Sequence, residues 1–161
     1  MNDAYLIIGG NQGNVLDTFR KVKIDLKQQI GEIISESYIY RTAAWGDDKQ
    51  PDYLNQVLSI SSKLSANEIL NYCLAIEVLH GRVRNPENQW ASRTIDIDIL
   101  YCGNEIINTI QLTLPHPRLH QRNFVLVPLV EIAAEWIHPI FQKSNAQLLA
   151  ECVDQLEVNE L

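Results

Sequence analysis

The sequence predicts an α+β domain with element order β-α-β-β-α-β, helices packed on a mainly antiparallel sheet, and a C-terminal extension. Three observations carry this expectation. An apolar run, Leu6-Ile7-Ile8, is cut by a glycine turn and followed by a stretch with helical spacing. A second helical stretch is introduced by Ser65-Ala66-Asn67-Glu68 and closed by Gly81. A strand then alternates apolar and polar residues from Thr94, and its period of two cannot be read as a helix.

Taken in order, Leu6-Ile7-Ile8 reads as a buried strand entering the turn Gly9-Gly10-Asn11-Gln12-Gly13. Asn14 is the predicted N-cap of the first helix, whose positions Val15, Leu16, Phe19, Val22, Leu26 and Ile30 recur at helical spacing up to Gly31. Residues 33–40 and 54–60 are rich in β-branched and aromatic side chains and predict two more strands. The second helix carries Ile69, Leu70, Cys73, Ile76 and Leu79. Residues 82–93 hold Pro86 and no periodicity, and predict a long loop that closes as a lid over ligands. The strand from Thr94 to Tyr101 follows, with Gly103-Asn104 as a hairpin turn into Glu105-Ile106-Ile107. The order through Tyr101 is the ferredoxin-like split arrangement, two helices on one face of a sheet. Beyond residue 110, helical pieces are expected near 124–134 and 144–153.

The chain has 161 residues, which suits one domain, residues 1–161, at ~100–200 residues per domain. Thirteen Lys and Arg against 20 Asp and Glu give a net charge of −7, so no global positive field exists to hold a nucleic acid. Any phosphate must be held locally. Cys73, Cys102 and Cys152 are widely spaced, without the pairing of a disulfide or zinc framework, which suits a reducing compartment. With no basic leader and no run of ~18 apolar residues, the expectation is a cytoplasmic protein without a membrane segment.

The sharpest chemical signal is Asp96 and Asp98. On a strand they point to one face about 6.6 Å apart while Ile95, Ile97 and Ile99 point to the other. At an effective dielectric near 20 their repulsion is roughly 2.5 kcal/mol. Solvent at a sheet face absorbs such a pair, and so does a divalent cation, magnesium being the natural one beside phosphates. Arg82, Arg84 and Arg93 lie within twelve residues of an otherwise acidic chain. They either pair with acids such as Glu77 and Glu87 or hold phosphate oxygens. Trp90 in the same loop, with Trp45, Tyr53 and Phe124 elsewhere, offers surfaces on which a flat heterocycle stacks.

The stretch Trp90-Ala91-Ser92-Arg93-Thr94-Ile95-Asp96-Ile97-Asp98-Ile99-Leu100 resembles the signature of the 6-hydroxymethyl-7,8-dihydropterin pyrophosphokinase family. Supporting blocks are Tyr40-Arg41-Thr42, Gln50-Pro51-Asp52-Tyr53-Leu54-Asn55, Glu77 with Gly81-Arg82-Val83-Arg84, and Leu114-Pro115-His116-Pro117-Arg118. The resemblance implies transfer of the β,γ-diphosphate of ATP to the pterin hydroxymethyl group in folate biosynthesis, releasing AMP. It implies two magnesium ions on Asp96 and Asp98, with Arg82 and Arg93 as the phosphate clamp of the catalytic set. Glu77, Arg84, Trp90, Ile99, Thr113, His116 and Arg122 correspond to ATP contacts. Thr42, Ala43, Trp45, Tyr53, Asn55, Trp90 and Phe124 correspond to the pterin pocket. The chain departs from the family pattern at Gln89, where a basic residue is common, at Leu74, and in Ala43-Ala44-Trp45. The partners expected are small molecules acting on a monomer. Two other readings exist: a palm-type nucleotidyltransferase attacking the α-phosphate, and a ligand sensor without catalysis. The sensor leaves the arginines beside the aspartates without a purpose.

Overall fold

The computed structural model describes residues 1–44, 49–84, 86–88 and 91–161. Its elements are β1 (Asn2–Gly10), α1 (Val15–Gln29), β2 (Gly31–Glu36), β3 (Tyr40–Thr42), β4 (Tyr53–Ser62), α2 (Ala66–Leu79) and β5 (Asp96–Cys102). Then come the short β6 (Ile107–Asn108) and β7 (Thr113–Leu114), a 3-10 turn (Leu119–Gln121), α3 (Asn123–Ala133), α4 (Asn145–Glu151) and β8 (Asn159–Glu160).

β1 lies between β4 and β5, antiparallel to both, with β2 and β3 pairing successive parts of β4 and β8 added beside β3. This central position explains the unbroken apolar run of β1. Ala4, Leu6 and Ile8 face α1 and α2, where Phe19, Val22, Leu26, Ile69, Cys73 and Ile76 complete a core. Tyr5 and Ile7 face the other way, onto Val125, Leu126 and Leu129 of α3 and Leu148 of α4.

Helices therefore cover both faces of the sheet. The split arrangement accounts for α1 and α2 on one face; the C-terminal extension supplies α3 and α4 to the other. In β5, Ile97 and Ile99 join the α1/α2 core. A bulge opposite Tyr5 and Leu6 then turns both Leu100 and Tyr101 to the α3 face. The second core thus starts where the aspartates end.

The caps form as the residues dictate. Asn14 Oδ1 accepts from Asp17 N at 3.1 Å, and Ser65 Oγ accepts from Glu68 N at 3.2 Å. Gly81, at φ 84°, ends α2 in a double turn: Gly81 N donates to Val78 O and Arg82 N to Glu77 O, both at 3.0 Å. A reciprocal capping box occurs at α4, between Ser144 and Gln147.

Two expectations need correction. Residues 33–40 do not make one strand: Ser37 leaves the ladder because its hydroxyl accepts the Val57 N–H that a backbone carbonyl would otherwise take. The hairpin after Gly103 does not pair with β5 either; β6 pairs with β7 in a separate two-stranded ribbon.

Candidate active site

Asp96 and Asp98 open β5, and alternation turns both to the face away from Ile97 and Ile99. Over that face, between β5, β3, β4 and the start of α3, lies a cleft of about 550 Å³. Its lining brings together most of the expected residues: Thr42, Ala43, Tyr53, Asn55, Arg93, Asp96, Asp98, His116, Arg122 and Phe124.

One end of the cleft is a charge network. The turn at Gly81 folds Arg82 back against its own helix, where its Nη1 donates to Ile95 O at 2.9 Å and Asp96 Oδ1 at 3.1 Å. Arg93 reaches Asp96 Oδ2 at 3.4 Å and holds Ala91 O through its other nitrogens. Glu77, buried at 2% exposure, accepts from Ile97 N and from Arg84, each at 2.7 Å. Burial first, then the neighbouring Asp96 and Glu77 charges, pushes the Asp98 carboxyl up to about 7 against the pull of Arg122 and Arg82. Glu77 is likewise raised to about 7, mainly by burial, despite its bond from Ile97. Asp98, held up by burial and by the Asp96 charge beside it, gains from a cation bound in the cleft. Among the described residues no group of three or more His, Cys, Asp or Glu gathers as a metal cage. A pair of hard oxygen donors open to a cleft suits magnesium shared with phosphate oxygens.

The other end is aromatic. Tyr53 begins β4, donates to Ala91 O at 3.4 Å, and has the Arg93 guanidinium 5.9 Å from its ring centre. Phe124 lies under Arg122 at 5.4 Å. Asn55, 7% exposed, fits only because position 9 is glycine, since a Cβ there would strike its amide. His116 sits near the middle. Its N donates to Leu100 O and its Nδ1 accepts from Arg118 N, which leaves the proton on Nε2. Burial, reinforced by Arg122, lowers its pKa to about 4 and keeps the ring neutral at pH 7.

Some expected residues lie elsewhere. Arg82 and Arg84 line an adjoining pocket of about 320 Å³ that meets the cleft at Arg93. Thr113 is on β7, outside the cleft lining, and the Ile99 side chain is in the α1/α2 core, which leaves only its backbone for a ligand. Trp45, Trp90 and Gln89 fall outside the described residues, as does part of the expected lid.

Several residues escaped the sequence reading. Asn11 exchanges backbone and side-chain bonds with Arg93 (Asn11 N to Arg93 O and Arg93 N to Asn11 Oδ1, both 3.0 Å) and donates to Gln50 and Pro51 O. Gly10 allows this close approach, because a Cβ there would lie 2.6 Å from Thr94 O. The glycine turn was the available signal, but its spacing matched no phosphate-binding pattern. Gln121, Asp154 and Leu156 also line the cleft, and nothing in their local sequence points there; Arg118, the last residue of the 114–118 block, joins them.

The family profile of 7,8-dihydro-6-hydroxymethylpterin-pyrophosphokinase matches residues 5–134. A Synechocystis 2-amino-4-hydroxy-6-hydroxymethyldihydropteridine pyrophosphokinase is 39% identical over 149 residues, covering 92% of this chain and 75% of that protein. The Haemophilus influenzae protein of the same name is 36% identical over 156 residues, covering 96% and 93%. A solved Plasmodium falciparum HPPK-DHPS chain superposes with a TM-score of 0.71 at 15% identity, over 94% of this chain. This chain spans 43% of that longer one, and the likeness bears on the fold alone.

Proposed function

Since the chain belongs to the 7,8-dihydro-6-hydroxymethylpterin-pyrophosphokinase family, ATP-dependent transferases of folate biosynthesis, we propose that its cleft moves the β,γ-diphosphate of ATP onto the hydroxymethyl oxygen of 6-hydroxymethyl-7,8-dihydropterin. The observation that carries this reading is the division of one cleft into a carboxylate–arginine end and an aromatic end with a buried amide. A diphosphate donor and a flat, hydrogen-bonding acceptor need these two environments side by side.

In the reaction the pterin hydroxymethyl oxygen attacks the β-phosphorus. The bond from that phosphorus to the α,β-bridging oxygen breaks, AMP leaves with the electron pair, and the hydroxyl proton passes to solvent. Negative charge grows on the leaving oxygen, so fixed cations are worth more in the transition state than in the ground state. Arg82 and Arg93 are such cations, Arg82 held by Ile95 O and Arg93 by Ala91 O. Asp96 and Asp98 would hold two magnesium ions, which when bound would neutralise the charge on the phosphate oxygens and orient the diphosphate. Glu77 fixes Arg84 and the β5 edge, where Ile99 offers only its backbone. Asn55 reads the hydrogen-bonding edge of the heterocycle, Tyr53 and Phe124 supply its stacking surfaces, and Thr42 and Ala43 close its rim. The molecule, residues 1–161 taken as one pyrophosphokinase domain, works as a cytoplasmic monomer on small molecules; its net charge of −7 argues against a nucleic-acid partner. No helix among the described residues is long and apolar enough to cross a membrane.

Incubation with MgATP and the pterin tests this directly. AMP should appear in step with a diphosphorylated pterin. ADP, or inorganic pyrophosphate with a nucleotidylated product, would contradict the assignment.

A further inference from the structure

Helix α3 presents a problem at its first turn. The N-cap is Arg122, whose guanidinium has no acceptor atom, and no side chain of its own segment caps it. The missing acceptor comes from 31 residues further on: Asp154 Oδ2 accepts from Asn123 N at 2.9 Å. Asn123 Nδ2 returns a bond to Asp154 O at 2.8 Å, and Asp154 Oδ1 takes Leu156 N at 2.9 Å. The carboxylate also faces the positive end of the helix, where an anion is favoured.

Asp154 belongs to an extended strap that leaves α4 and lies across the mouth of the cleft. Its burial alternates, with Cys152, Asp154, Leu156 and Val158 turned inward and Val153, Gln155 and Glu157 outward. At its far end β8 pairs with β3, Asn159 opposite Arg41 and Glu160 opposite Tyr40, and Leu161 N donates to Ile39 O at 2.9 Å. The strap therefore ties the start of α3, which carries Arg122 and Phe124, to β3, which runs into Thr42 and Ala43. Asp154 and Leu156 themselves line the cleft. The whole strap lies beyond residues 5–134 of the family match.

We infer that this strap is part of the heterocycle wall and that Asp154 is a positioning residue for the acceptor substrate: by capping α3 from outside the helix through Asn123 it fixes the first turn that carries Phe124, and it seats Leu156 against the apolar side of the cleft. The inference rests on the proposed function, because it takes the pterin to be the molecule at the aromatic end. Asp154 touches no reacting atom. Its effect should fall on pterin binding rather than on the use of nucleotide at the charged end.

The test is pterin binding by ligand fluorescence together with separate KM values for pterin and ATP. Asp154→Ala should raise the pterin Kd and KM about fivefold, equivalent to ~1 kcal/mol, a typical cap, with the ATP KM within about twofold. Asp154→Asn keeps one acceptor for the Asn123 N–H and should recover most of the loss. Where Asp154→Ala does not fold, Asn123→Ala, which removes only the return bond, should shift the pterin Kd in the same direction by a smaller factor. An unchanged pterin Kd in the variants overturns the inference, as does a parallel rise of both KM values or an Asn variant no better than Ala. Wild-type protein that binds no pterin would overturn the proposed function as well; wild-type binding with indifferent variants overturns the strap alone.

Discussion

The two ends of the cleft are built in opposite ways. At the charged end, Glu77, Arg82, Arg84, Arg93, Asp96 and Asp98 all come from one stretch of chain, folded back on itself by the turn at Gly81 and fastened to the edge of β5. At the aromatic end, Thr42, Tyr53, Asn55, Phe124 and Leu156 come from four separated segments held together by sheet pairing and by the cap at Asp154. A contiguous set of charges can be tuned by local turns, whereas a wall drawn from distant segments depends on the whole fold for its geometry. Substitutions at the two ends should therefore fail differently: loss of kcat at the first, loss of pterin affinity at the second.

The largest effect is expected at the aspartates. Asp96→Asn or Asp98→Asn should lower kcat on the order of 10³-fold, because each removes half of the charge that holds the cations on which the transfer depends. Steady-state kinetics across a magnesium titration checks this, and near-normal turnover at ordinary magnesium would break the assignment of the charged end. Next, Arg82→Ala should lower kcat roughly 100-fold with little change in the ATP KM, since Arg82 is held in place before substrate arrives. Arg84→Ala should act more weakly, because its side chain is 60% exposed and its anchor, Glu77, keeps the Ile97 bond.

The neighbouring glycines of β1 sharpen the contrast. A Cβ at position 9 would meet the side chain of Asn55, and one at position 10 would meet the backbone of Thr94 beside Arg93. Gly9→Ala should raise the pterin KM about tenfold, as Asn55→Ala should, with the ATP KM nearly unchanged. Gly10→Ala should instead lower kcat and thermal stability, because backbone cannot move aside as a side-chain end can. Identical profiles for the two variants would erase the distinction between the ends.

The smallest effect is on stability. Asp98, raised to about 7 from a normal 3.8, binds a proton in the folded state over a pH range where the unfolded chain has lost it. Stability of the ligand-free protein should therefore fall as pH rises from about 4 to 7, with Glu77 contributing in the same sense. Asp98→Asn should flatten this slope, and magnesium should raise the melting temperature more at pH 8 than at pH 5. Calorimetry over that range measures both; a slope of opposite sign would mean that the carboxyls are neutralised by the arginines rather than held apart from them.

Much of the charged end was legible because alternation on one strand fixes the common face of Asp96 and Asp98, and because the arginines crowd into an acidic chain. The helices and their caps at Asn14, Ser65 and Gly81 were legible for similar local reasons. At the aromatic end Tyr53 and Phe124 were legible as stacking surfaces, but only the family resemblance joined them with Asn55 in one pocket, since nothing in their spacing places them together. Asn11 stayed hidden because its role depends on Arg93, 82 residues away. Asp154 stayed hidden because a cap supplied from another segment leaves no pattern around the helix it serves. The false hairpin after Gly103 has the same lesson in reverse: a good turn signal says where the chain reverses, not which strand it then meets.

The central claim is that the charged end delivers a diphosphate, as one unit, to a molecule held at the aromatic end. Following ATP labelled at the β-phosphorus tests this most directly. The label should move to the pterin product while unlabelled AMP is released in equal amount. Label that stays with the nucleotide as ADP, or that is freed as pyrophosphate, would contradict the account.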